Sequence, residues 1–116
     1  MKKQIAFLFS MITLFVFSLN IEKSNSYYGN DNKLGEKLFF ANCNACHKNG
    51  ANIIIPEKNL KKEALEANGM DNLDSIIYQV INGKNGMPAF GNRLKENEIN
   101  EIAKYVLEKS IINFEK

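Results

Sequence analysis

Cys43-Asn44-Ala45-Cys46-His47 constrains this chain more than any other stretch of it. The chain has 2 cysteines and 1 histidine, and all of them lie in these five residues. Two thiols three residues apart on a turn of helix can add across the two vinyl groups of one haem, and the adjacent histidine then stands under the iron. Two rival uses are weaker. A structural zinc site takes four protein ligands from Cys and His, so zinc would have to borrow carboxylates or a second subunit. A thiol–disulfide pair usually sits at the start of a helix in a βαβ unit, whereas here the helical pattern precedes the motif. The expected cofactor is one covalent c-type haem on Cys43 and Cys46, with His47 as proximal iron ligand.

A staple of this kind suits the size of the chain. Lys2 and Lys3 form a short basic start, Ile5 to Leu19 is an uncharged and nearly continuous apolar run, and Glu22 and Lys23 end it. Ser24 and Ser26 place small residues three and one positions before a cut at Tyr27. That order describes a secretory signal. The apolar run is 15 residues long, shorter than the roughly 20 of a membrane-spanning helix. Residues 1–26 are therefore expected to be a cleavable signal peptide, with no membrane span left after cleavage. Taking 26 from 116 residues leaves 90 for the domain 27–116. A domain of that size often leans on a disulfide, a metal or a large apolar cofactor. The formal charge of +2 belongs to the precursor. Without residues 1–26 the 12 basic and 12 acidic side chains cancel, and no basic stripe marks a nucleic-acid binder.

Beyond the signal the periodicity is helical. Asp31 or Asn32 can cap a first helix in which Leu34 and Leu38, and Gly35 and Phe39, repeat at four-residue spacing. Lys48 to Asn52 is loop, and Pro56 biases Ile55 away from helix. Asn59 can cap a short helix from Leu60 to Asn68 that stops at Gly69. Asp71 or Asn72 can cap the next helix, whose Leu73, Ile76, Ile77, Val80 and Ile81 form one apolar stripe before Gly83 ends it. Lys84 to Asn92, with its glycines and Pro88, is loop. The last helix runs from Lys95 to Ser110, with Glu96 and Glu98 placed to suit the helix dipole and Ile99, Ile102, Ala103 and Val106 facing inward. No strand pattern competes, so the fold class is all-α with long loops.

A haem iron has a sixth position. His47 is the only histidine, so two histidine ligands from one chain are excluded, and methionine is the remaining common choice. Met70 borders Gly69 at a helix end and suits core filling. Met87 lies between Gly86 and Pro88, 40 residues beyond His47, far enough for the chain to round the haem edge. Pro88 stiffens that loop. Met87 is the expected axial ligand.

Gly35-Glu36-Lys37-Leu38-Phe39 leading into the Cys43–His47 motif resembles class I cytochromes c. Tyr78 to Leu94, containing Gly86-Met87-Pro88-Ala89-Phe90-Gly91, is more specific. With Leu60 to Met70 and Ala103-Lys104-Tyr105-Val106-Leu107, it resembles the cytochrome c6 family from Leu34 to about Ser110. The resemblance implies a class I fold of about four helices around one haem, with Met87 on the iron. It implies that Gly35 and Phe39 pack against Tyr105, that Gln79 lies beside the haem, and that Arg93 lies near the docking surface. It further implies a photosynthetic electron carrier rather than an enzyme. The carrier would be a monomer in the thylakoid lumen, docking transiently with cytochrome f of the cytochrome b6f complex as donor and photosystem I as acceptor. Two features depart from the family: Lys95 stands where Ser or Thr usually caps the last helix, and Ile111, Ile112 and Phe114 occupy a tail that often carries Trp. A signal peptide suits a periplasm equally well, so a respiratory shuttle to a terminal oxidase is the alternative. A haem enzyme or gas sensor with an open iron would require that Met87 not ligate.

Overall fold

The computed structural model describes residues 32–116. The signal reading of residues 1–26 and a cap from Asp31 lie outside the described residues. Five α-helices follow in order: α1 Asn32–Asn42, α2 Asn44–His47, α3 Lys62–Ala67, α4 Leu73–Asn82 and α5 Glu96–Ile111, with short 3-10 turns at Lys48–Gly50 and Pro56–Lys58. Four of them are the helices that the periodicity predicts. The fifth, α2, is the single turn that carries the cysteine–histidine motif. None of these helices is long and apolar enough to cross a membrane.

The helix ends have local causes. Asn72 caps α4, its side-chain oxygen accepting the Ser75 N–H at 2.9 Å, as a good N-cap residue does. Gly69, at φ +65, stops α3. The Met70 N–H reaches the Leu65 carbonyl at 2.8 Å and the Gly69 N–H reaches that of Glu66 at 3.2 Å, the paired bonds of a Schellman stop. α3 starts later than Asn59 suggests. The Asn59 side chain accepts the Lys61 N–H at 3.0 Å, which builds a turn before the helix and moves its first residue from Leu60 to Lys62. At α5 the Glu98 carboxylate accepts the Lys95 N–H at 2.8 Å. The Lys95 ammonium has no lone pair to return the bond, so this cap is one-sided.

Burial follows the predicted faces. Ile99, Ile102, Ala103 and Val106 of α5 are all buried, joined by Phe39, Leu65, Ile76 and Val80 from the other helices. Each large apolar side chain so enclosed contributes roughly 1.5–3 kcal/mol. The α4 stripe is enclosed only in part: Ile76 and Val80 are buried while Ile81 stays 37% exposed.

α1 lies directly across α5. A Cβ on Gly35 would collide with the backbone carbonyl of Glu101 and stand 3.0 Å from the Tyr105 Cβ. One turn on, the Phe39 ring packs on Tyr105 with centroids 5.2 Å apart. Phe114 completes the cluster, 5.9 Å from Phe39 and 6.4 Å from Tyr105. Gly35→Ala should therefore separate two backbones, with an overpacking cost of roughly 1–3 kcal/mol. The haem-loaded variant should show that loss as a lower denaturant midpoint at unchanged slope, and an unchanged midpoint would contradict the packing described.

Candidate haem site

The site begins where α1 ends. The Cys43 N–H bonds to the Phe39 carbonyl at 2.8 Å, which continues α1 into the motif. The Cys43 carbonyl then accepts from Cys46 at 3.2 Å and His47 at 2.9 Å. Both thiols and the imidazole are thus carried on one rigid turn. The His47 ring is oriented by its Nδ1, 2.9 Å from the Ala51 carbonyl. A carbonyl only accepts, so Nδ1 carries a proton, and the neutral ring then leaves its lone pair on Nε2, the tautomer that a metal-ligating histidine needs.

Asn52 secures the next stretch. Its side-chain oxygen accepts the N–H groups of Ile54 at 3.0 Å and Ile55 at 2.9 Å, while its amide donates to the Lys58 carbonyl at 2.9 Å. The loop that these bonds hold together forms part of a cleft. Cys43, Cys46, His47 and Ile55 line it, with Leu65, Val80, Phe90, Ile102 and Val106 supplying much of its apolar surface.

Met87 reaches the same cleft from a separate segment. The stretch expected to be plain loop contains a tight reverse turn. Lys84 and Met87 exchange both backbone hydrogen bonds, at 3.1 and 3.0 Å, around Asn85 at φ +50 and Gly86 at φ +89. Two central residues with positive φ are the requirement of a type I′ turn, for which Asn-Gly is the favoured pair. Gly83, at φ +64, faces this turn closely. A Cβ there would overlap the Met87 carbonyl and stand 2.7 Å from the Ala89 nitrogen. Beyond the turn the Phe90 and Gly91 N–H groups return to the carbonyls of Val80 and Ile81 at 2.9 and 3.2 Å, which ties the loop back onto α4. The Gln79 amide donates to the Met87 sulfur at 3.8 Å.

All four expected site residues, Cys43, Cys46, His47 and Met87, line one cleft. Met70 lines it too, and it packs against the core at the end of α3. Gln79 is beside the site as expected. Arg93 is exposed, with its guanidinium 5.5 Å from the centre of the Phe90 ring, and that ring lines the cleft. Sequence reasoning missed the parts played by Ala51 and Asn52, and the Asn85-Gly86 turn. For the turn a signal was present in the dipeptide itself. The Ala51 carbonyl has no side-chain signature.

Burial, and then the nearby Cys46, push the Cys43 thiol up to about 11. Redox-active cysteines work through a lowered pKa and an electropositive setting, so this environment argues against a thiol oxidoreductase. Among the described residues no three His, Cys, Asp or Glu side chains cluster as metal ligands would, so no zinc cage forms there. Two thiols on one turn, one imidazole with a free Nε2, a thioether and an apolar lining are what a covalently held haem requires.

Comparison with known proteins agrees. A family model described as cytochrome C oxidase, cbb3-type, subunit III matches residues 30–106. The cytochrome c6 of Pyropia yezoensis is 48% identical over 110 residues, covering 95% of this chain and 96% of that protein. That of Bumilleriopsis filiformis is 60% identical over 76 residues, 66% of this chain and 88% of the relative. The crystal structure of cytochrome c6 from the diatom Phaeodactylum tricornutum is 50% identical and superposes with a TM-score of 0.69, over 72% of this chain and 98% of that one. Gly83→Ala should strain the turn that holds Met87 both by its positive φ and by overlap, at a cost of roughly 1–3 kcal/mol. Amide NMR shifts in the haem-loaded variant should concentrate in residues 84–91, and shifts spread evenly over the protein would count against the turn as described.

Proposed function

The chain belongs to the cytochrome c6 family, and from that premise we propose that it takes electrons from cytochrome f of the cytochrome b6f complex and delivers them to photosystem I in the thylakoid lumen. The coarser function follows from membership itself: the protein is a c-type cytochrome with the class I fold, an electron carrier whose cofactor is a covalently bound haem. The finer reading also takes residues 1–26 as the export signal and the domain 27–116 as the mature carrier.

Cys43 and Cys46 would hold the haem through thioethers, with His47 and Met87 as its axial ligands. The observation that carries this assignment is the meeting of the motif turn and the Asn85-Gly86 turn at one apolar cleft. The bound haem supplies reversible one-electron chemistry at iron. The protein residues supply the rest. The Ala51 carbonyl holds His47 in the ligating tautomer. The Lys84–Met87 turn holds the Met87 sulfur in place before any electron arrives. The apolar lining keeps water away and favours the less charged ferrous state, which holds the potential high. The Gln79 amide, within reach of the Met87 sulfur, competes for its lone pairs and tunes that potential. If His47 and Met87 both hold the iron, a bound haem would have no position left for a substrate, so the reading is a carrier and not an enzyme. Arg93, held over Phe90 beside the cleft, offers a cation that steers brief encounters with an acidic partner surface.

The match to a cbb3-type oxidase subunit model favours one second reading, a respiratory carrier to a terminal oxidase in a periplasm. The ligand set would be the same, and only partner kinetics separate the two. In flash experiments photosystem I should oxidise the ferrous protein at least about tenfold faster than a terminal oxidase does, and Arg93→Gln should slow that reaction with a shallower salt dependence. The reverse order of rates would select the respiratory reading. Met87→Leu should retain haem and gain rapid carbon monoxide binding in the ferrous state. Wild-type protein that binds carbon monoxide equally fast would contradict Met87 as ligand.

A further inference from the structure

Phe114 has a conformation that calls for an explanation. Asn113 and Phe114 sit at φ +51 and +59. A bulky residue in that region is a genuine outlier, and such strain of about 1–3 kcal/mol persists only where the surroundings impose it. Here the tail folds back on α5. The Asn113 N–H bonds to the Ser110 carbonyl at 3.0 Å and the Phe114 N–H to that of Lys109 at 2.8 Å. The turn lays the Phe114 ring on Gly50, where a Cβ would stand 2.5 Å from the ring Cδ2 and 2.8 Å from Cγ. Gly50 is buried and itself at φ +76. Only glycine lets the ring come that close.

Gly50 shares its peptide with Ala51, the residue whose carbonyl receives the His47 Nδ1–H at 2.9 Å. The rest of this stretch is tied down on its other sides. The Gly50 carbonyl accepts the Leu60 N–H at 2.7 Å, and the Ala51 N–H donates to Lys48 at 3.1 Å. Phe114 closes the remaining side and is braced by Phe39 and Tyr105. We propose that Phe114 is a positioning residue for His47: its ring on Gly50 fixes the Gly50–Ala51 peptide and, through it, the hydrogen bond that orients the imidazole. An Nδ1–H that donates to a carbonyl makes Nε2 a stronger donor to iron, which favours the ferric state and lowers the potential. Loosening the peptide weakens that bond, so the potential should rise. The inference rests on His47 being the iron ligand and goes beyond it, since no contact to haem by Phe114 is involved.

The test uses the haem-loaded protein and three variants: Phe114→Ala, Phe114→Leu and, as a control, Ile99→Ala. Ile99 is buried in the core and does not line the cleft, so its loss lowers stability without touching Gly50. NMR of the ferrous protein measures solvent exchange of the His47 Nδ1–H, and a redox titration measures the midpoint potential. Phe114→Ala should speed that exchange by about tenfold or more, the mark of easier local opening, and should raise the midpoint. Phe114→Leu should fall between, and it carries the comparison if the alanine variant fails to fold. Ile99→Ala should leave exchange and midpoint at wild-type values despite its lower unfolding midpoint. Wild-type exchange in both Phe114 variants, or an equal acceleration in Ile99→Ala, would overturn the proposal. The premise is checked separately in the wild type, where a ligating His47 has ring protons shifted strongly upfield by the haem. Their absence would overturn the ligand assignment and the proposal together, whereas the variants alone decide the part of Phe114.

Discussion

α1 and α5 meet with no side chain between them at Gly35, so the α1 backbone lies against the carbonyl of Glu101 and the Cβ of Tyr105. Both walls of the site descend from that crossing. α1 continues through the Cys43 N–H into the turn that carries both thiols and His47, while α5 contributes Ile102 and Val106 to the cleft lining. The distance between the attachment turn and the apolar surface beyond it is thereby set by backbone contact, which side-chain rearrangement cannot easily relax. A domain this small has few other means of fixing such a distance.

The Met87 segment is held by different means. Met87 is not carried on a helix. Its place comes from a two-residue turn with positive φ at both centres, from Gly83 facing the turn, and from two backbone bonds that return the loop to α4. The motif turn is therefore fixed by helix packing and the Met87 segment by turn geometry. That division suits an electron carrier. An iron whose ligands are already held in place in one oxidation state would have little to rearrange in the other. Ile53 and Ile54, at 66% and 52% exposure, lie on the loop that contributes Ile55 to the cleft, and an apolar rim of this kind suits brief, weakly held complexes.

Much of this was legible in the residues. The cysteine–histidine motif named the cofactor because its chemistry needs those groups at that spacing. The stripes of α4 and α5 named the core because burial follows period. The elimination of other axial ligands left methionine, and the structure brings Met87 to the cleft. Other parts were not legible. The turn at Asn85-Gly86 carries a recognisable dipeptide, but without flanking strands it read as loop. The start of α3 moved because the Asn59 side chain builds a turn over the two residues before the helix. Ala51 acts through its carbonyl and Phe114 through a contact with a distant glycine, and neither local composition nor period encodes such pairings. The Phe114 contact depends on how the α5 tail folds back, which only tertiary structure decides.

The central claim is that the Cys43–His47 turn and Met87 close on one covalent haem. It is tested most directly on protein matured with a haem-attachment system, by a denaturing gel stained for haem and a near-infrared spectrum of the ferric form. The account predicts haem that stays with the unfolded chain, together with a sulfur-to-iron charge-transfer band that disappears in Met87→Leu and persists in Met70→Leu. Haem that leaves the chain on the gel, or a band lost with Met70 rather than Met87, would contradict it.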